Sequence, residues 1–256
     1  MKYLKSFNSQ SEYESYTGST EYITPNVSLI DEDDHIEYKP YEPPPVPPTP
    51  THDYVEIGGI KWATMNIGAS SVTDAGLYFQ WGDTQGYTAD QVGSGSGQKY
   101  FNFADYKYGN GTAFPGDTGI TKYNSTDGKT VLEASDDAAN AAWGGNWRMP
   151  TDEEYHSLFS STNTAWTNDY QGSGVSGLVC TDKTDNTKQL FLPVAGACSN
   201  GTIYNTTSYG HYWSNLLKSE FISQAYCLLI YNQYPPSWSY YSGRAVGLLV
   251  RAILDE

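Results

Sequence analysis

Apolar positions along this chain fall in short runs separated by glycine, proline and polar clusters, the pattern of a protein built from short strands. Residues 54–57 and 60–64 (YVEI and IKWAT) flank Gly58-Gly59, a two-residue hairpin signal. GLYFQW, 76–81, reads as a further strand, and the Gly-, Ser-, Asn- and Tyr-rich stretch 82–119 as irregular surface. Residues 178–181 and 189–194 form a second hairpin across the polar DKTDNT. Two short helices lie between. Ser135 caps DDAANAAW, with Asp136 and Asp137 in its first turn and Gly144 at its end. Thr151 and Glu154 form a capping box before a face of Tyr155, Leu158 and Phe159. Arg148, in the corner WGGNWRMP, is placed to bond a carboxylate or backbone carbonyls.

The run 225–231, AYCLLIY, predicts a strand. Alternation puts Tyr226, Leu228 and Ile230 on one face and Ala225, Cys227, Leu229 and Tyr231 on the other. Both faces are apolar, so periodicity alone does not say which is inward. Pro235-Pro236 ends any central strand. A long aromatic loop is expected to follow, then a final strand within 246–254 that buries the terminus.

Near the start, 27–30 and 36–39 read as two short strands around the acidic turn DEDDH, and Ser9 with Glu12 as a capping box over a short helix closed by Gly18. PPPVPPTP, 43–50, favours an extended polyproline spacer. The chain thus divides into a small module, 1–42, a linker, 43–50, and a main domain, 51–256. The first residues contain no apolar core of a signal peptide, so the chain is read as lacking a secretory signal.

Composition concentrates attention on the C-terminal region, about 209–251. Aromatic residues make up 15% of the chain but ten of the residues between Tyr209 and Gly243. Only Lys218 and Glu220 are charged there. Tyr, Trp, Ser and Asn without charge is the composition of a recognition surface: stiff, half-polar rings with adaptable hydrogen bonds. A tyrosine taken singly is as often core. The net charge of −15 argues against a nucleic-acid partner or an anionic membrane. No apolar stretch is long enough to span a bilayer, so no membrane insertion is expected.

Candidate chemistry is sparse. Cys180, Cys198 and Cys227 show no metal or redox spacing, and a Cys180–Cys198 bridge is open but not demanded. No HExxH, P-loop, GxSxG or helix-opening GxGxxG is present. KYNSTDGKTVLE touches a calcium loop only at Asp127-Gly128. His211, beside Tyr212 and Trp213, can be read as a ligand contact, but a fixed structural histidine is the commoner case. No catalytic residue, metal or cofactor is expected.

From Tyr54 onward the chain resembles the Fibrobacter succinogenes major paralogous domain family of gut Bacteroidetes and their phages. The resemblance rests on KWATMNIGAS (61–70), GLYFQWGD (76–83), TKYN (121–124), TVLEASDDAANAAWGGNWRMPTDEEY (130–155), LFLPVAG (190–196), YGHYWSN (209–215), AYCLLIY (225–231) and GLLVRAI (247–253). It implies an α+β, C-type-lectin-like fold of the formylglycine-generating-enzyme type, with short antiparallel sheets and two small helices. The C-terminal pattern resembles the target proteins of diversity-generating retroelements. There, residues matching Tyr212, Trp213, Tyr226, Leu228, Ile230, Gly247, Val250 and Arg251 recur as framework while those between vary. The resemblance therefore assigns Tyr226, Leu228 and Ile230 to the core.

The implied ligand-binding positions are Phe221, Ser223, Cys227, Leu229, Tyr231, Gln233, Tyr234, Ser237, Trp238, Tyr240 and Tyr241. The implied function is a non-enzymatic receptor-binding protein on a phage tail or particle surface, held to a virion structural protein through 1–42. Its target is a host cell-surface protein or glycan. The alternatives are a lectin of fixed carbohydrate specificity, an enzyme relative of the formylglycine-generating type, and a location on the bacterial surface. A homo-oligomer is left open.

Overall fold

The computed structural model describes residues 52–112, 119–232 and 234–255, together with the backbone of two strands, Val27–Glu32 and His35–Pro40. The chain divides into two units, Met1–Thr49 and Pro50–Glu256. In the first, β1 (Val27–Glu32) pairs antiparallel with β2 (His35–Pro40). The helix expected over 11–18 and the proline spacer lie outside the described residues.

The second unit begins with the glycine hairpin. β3 (Tyr54–Ile57) and β4 (Ile60–Asn66) pair in register across Gly58 and Gly59, whose φ values of +62° and +77° suit the turn that matches strand twist. The last strand, β14 (Arg251–Leu254), pairs with β4 and, on its other side, with β5 (Trp147–Arg148). The chain's end is thereby clamped inside a four-stranded sheet. A second sheet joins β6 (Thr162–Thr167), β7 (Gly177–Asp182) and β8 (Gln189–Pro193), and β9 (Ala197–Ser199) and β10 (Thr202–Tyr204) form a small hairpin. A third sheet joins β11 (Tyr209–Leu217), β12 (Gln224–Tyr231) and β13 (Ser237–Gly243). The described part is strand-rich α+β, with several small antiparallel sheets and two α-helices.

Those helices are α1 (Ala138–Trp143) and α2 (Asp152–Ser161). Asp137, not Ser135, caps α1, because Ala134–Asp136 forms a separate 3-10 turn ahead of it. The Asp137 carboxylate accepts the amides of Ala139, Asn140 and Met149, tying the helix start to the strand that follows. Gly144 closes α1 at φ +67°, and Thr151 and Glu154 form the capping box of α2. Arg148 makes both kinds of bond expected of it: a two-pronged pair with Glu154, an ion pair with Asp255 and a bond to the Met149 carbonyl.

The core has two halves, and the strands run between them. In β11, Trp213 enters one cluster and Tyr212 the other; in β4 the split is Ala63 against Trp62, and just ahead of β14 it is Val250 against Leu249. Strands buried on both faces read as continuous apolar runs, which is why alternation could not orient them. Stretch 76–81 is not a regular strand but makes two single bridges, Tyr78 to Tyr87 and Phe79 to Leu248. The described part of 82–119 has two short 3-10 turns and no regular strand, yet it is not merely surface: Phe101, Tyr106 and Tyr108 are core.

Two buried arginines stitch these parts. Arg251 donates to Asn66 Oδ1 and to the carbonyls of Ala63 and Phe191, joining the four-stranded sheet to β8. Arg244 donates to Tyr106 Oη and to the carbonyls of Lys122, Tyr123 and Ile222. No helix among the described residues is long and apolar enough to cross a membrane.

Candidate binding face

The expected aromatic loop is mostly strand. β13 pairs with β12, placing Tyr241 opposite Tyr226, Tyr240 opposite Cys227 and Ser237 opposite Leu229, with one extra residue on β13 between the last two pairs. β13 is an edge strand, and its middle, Ser239 to Tyr241, is exposed. Pro235 and Pro236 sit in the turn just before it, where no ladder amide is needed.

β12 corrects the assignment of its own side chains. Cys227, expected on the display face, is 0% exposed, and Leu229 is buried at 8%. Tyr226, expected in the core, is half-buried. The strand alternates regularly but changes its buried face midway. Ala225 and Cys227 enter one core cluster at its start, while Leu228 and Ile230 enter the other at its end. The free faces are therefore Tyr226 at one end and Tyr231 at the other. Leu228 and Ile230 lie in the core as expected.

Of the other expected binding residues, Phe221, Tyr234, Tyr240 and Tyr241 are exposed, and Ser223, Tyr231, Ser237 and Trp238 are half-buried. Gln233 lies outside the described residues.

The rings gather into groups. Tyr209 stacks on Tyr231 (5.3 Å between centroids), and Tyr231 stacks on Tyr234 (4.8 Å). His211 lies between Tyr209 and Tyr240, 6.2 Å from each, and Tyr240 stacks on Tyr241 (5.7 Å). Six rings from three strands and one turn thus form a contiguous series. At the other end of β12, the Lys218 ammonium lies 4.6 Å from the Tyr241 ring, 5.1 Å from Tyr226 and 5.8 Å from Phe221. Such a cation is held by the ring quadrupoles and keeps the three rings together. Trp238 turns toward α2 and stacks on His156 at 4.6 Å.

Sequence reasoning passed over Tyr209, His211 and His156 as site residues. The first two point the same way as Tyr231 and Leu229, because Tyr209 pairs with Tyr231 and His211 with Leu229. Reading β11 as a strand would have found them by alternation. Burial of His211 drives its pKa down to about 4, so the ring is neutral near pH 7. Its Nδ1 is buried without a hydrogen-bond partner.

The face offers rings, hydroxyls, amides and one ring-held ammonium. All three cysteines are free and buried; burial pushes the Cys180 thiol up to about 12 and the other two higher still. They therefore remain thiols under ordinary conditions. Among the described residues no cluster of three or more His, Cys, Asp or Glu could hold a metal ion. Asp127, in the loop with partial calcium-site likeness, instead accepts the backbone amides of Tyr123, Asn124 and Lys129.

No family model, curated protein or solved structure matches this chain.

Proposed function

We propose that the main domain is a C-type-lectin-like ligand-binding protein whose β11–β13 sheet is the recognition face. The observation that carries this reading is the series of rings from Tyr209 to Tyr241, set on a sheet whose central strand is buried in two cores. A rigid scaffold with exposed, pre-stacked rings loses little side-chain entropy on binding. The face also has little charge to desolvate.

In this proposal the protein is a non-enzymatic, retroelement-diversified receptor-binding component of a phage particle. Residues 1–42 attach it to the virion and 43–50 space it from the main domain, which engages a protein or glycan on the host surface. The mixed burial along β12 fits a design in which substitutions at exposed ring positions leave the buried framework intact. Many copies on one particle would turn modest single-site affinity into firm attachment.

The test is binding of fluorescently labelled full chain to intact gut Bacteroidetes cells, compared with Tyr240→Ser/Tyr241→Ser. The double variant is expected to keep its melting temperature and lose at least tenfold in binding. Undiminished binding would overturn the choice of face. The diversification element has its own test: a neighbouring reverse-transcriptase gene with an imperfect copy of the codons for 212–251. Its absence would remove that element and leave the binding reading standing.

A further inference from the structure

Beside the ring series lies a groove of about 420 Å³, within the size range of small-ligand sites. One wall is β6, with Thr164 and Trp166; the other is the turn after β12, with Tyr231, Asn232, Tyr234 and the Pro235-Pro236 pair. We infer that this groove binds a neutral saccharide. The inference rests on the binding reading above and names the class of ligand.

Three features of the groove converge. The first is charge: the described residues lining it include no Asp, Glu, Lys, Arg or His. A sulfated or sialylated ligand would lose water there without gaining a counter-charge, and the chain's net charge of −15 would repel it.

The second is unused hydrogen-bonding capacity. Among the described residues, no hydrogen bond engages the hydroxyls of Thr164, Tyr231 or Tyr234, or the side-chain amide of Asn232. Each of these groups can both donate and accept. A sugar presents hydroxyls that do the same, whereas a purely apolar occupant would leave all four groups unpaired.

The third is the set of aromatic faces. The Trp166 indole N–H is committed to Asn168 Oδ1 at 2.9 Å, which fixes that ring. Tyr231 stacks on both Tyr209 and Tyr234, so it presents its hydroxyl edge to the groove. The fixed Trp166 ring gives the C–H face of a pyranose a surface to pack on, at little ordering cost. Apolar faces edged by free neutral hydroxyl and amide groups match a sugar's own division into C–H face and hydroxyl rim.

The two walls have different origins. Thr164 and Trp166 lie outside 209–251, while Tyr231 to Pro236 lie inside it. If the second region changes among relatives, half of the groove stays constant. The class of ligand would then be set by β6 and the particular sugar by the turn.

The experiment uses the full chain on immobilised neutral oligosaccharides ending in glucose, galactose, mannose or N-acetylglucosamine, with sialylated and sulfated counterparts alongside. Retention on at least one neutral glycan is expected, with no gain from the charged groups. Thr164→Val keeps the strand-favouring shape of an exposed residue and removes one hydroxyl. It should lower retention about fivefold, the loss of one hydrogen bond, at unchanged melting temperature. Tyr231→Phe should do the same, and Trp166→Ala should abolish retention.

Retention unaffected by all three changes would place the saccharide elsewhere and overturn the inference. Failure of every neutral glycan, with cell binding still sensitive to Tyr240→Ser/Tyr241→Ser, would also overturn it. That second outcome would leave the ring face standing as a surface for protein targets.

Discussion

Replacing Arg244 by methionine tests the link between the hidden framework and the exposed face. The side chain is 0% exposed, and its guanidinium has no carboxylate partner among the described residues. Nε donates to Tyr106 Oη at 2.9 Å, Nη1 to the carbonyls of Tyr123 and Ile222 at 3.0 Å each, and Nη2 to the Lys122 carbonyl at 2.9 Å. Its guanidinium carbon lies 4.8 Å from the centre of the Trp81 ring. Methionine roughly fills the volume but donates nothing. Tyr106 keeps its own bond to the Trp81 carbonyl, so three carbonyls are left unpaired. Each buried orphan costs about 1–3 kcal/mol. With some relaxation the total should be about 4 kcal/mol, a large share of the ~5–15 kcal/mol that holds a domain. At a urea slope of about 3 kcal/mol/M, the unfolding midpoint should fall by roughly 1.3 M. Arg244→Lys, which keeps the charge but not the planar fork, should fall between the two. Because Ile222 follows Phe221, amide exchange of the 218–224 turn should also quicken. A midpoint shift under about 0.3 M at unchanged slope would refute the reasoning, since the carbonyls would then have other partners.

Three further outcomes are expected. In β12, Leu228→Ala and Ile230→Ala should each cost about 2–5 kcal/mol, while Tyr240→Ala and Tyr241→Ala on the neighbouring strand should cost under about 1 kcal/mol. Equal losses in thermal unfolding would mean that those tyrosines are core. His211 should make stability fall on acidification. Its pKa is about 4 in the fold against an ordinary 6.5, so its contribution is complete above about pH 6.5 and is lost as pH falls toward 4. Compared with His211→Gln, the native protein should lose on the order of 2 kcal/mol more between pH 7 and pH 4.5, and parallel profiles would contradict this. Finally, a thiol-reactive disulfide reagent should find no accessible thiol in the folded protein and three in denaturant; rapid labelling of Cys227 in the native state would put it on the surface.

Local chemistry was legible from the sequence alone. Gly58-Gly59 can hold positive φ, so the hairpin of β3 and β4 was readable there. Thr151 and Glu154 cap α2 through neighbours three residues apart, and Gly144 ends α1 for the same local reason. The concentration of uncharged rings after Tyr209 was visible in composition.

What the chain could not disclose locally was decided by partners far away. β12 is apolar on both sides because two cores press on it, one holding Cys227 and the other Leu228. Period-two alternation states only that neighbouring residues face opposite ways. Which side is covered depends on elements far away in the chain, such as Trp81, whose indole bonds the Ser214 carbonyl 133 residues on, and Tyr155, whose hydroxyl bonds the Trp213 carbonyl 58 residues on. The aromatic segment after Pro236 became a strand because β12 offered it an edge, a pairing that no propensity within the segment encodes. The groove by Trp166 exists only where β6 meets the turn at Tyr234, two pieces of chain that share no motif and are joined by tertiary packing alone.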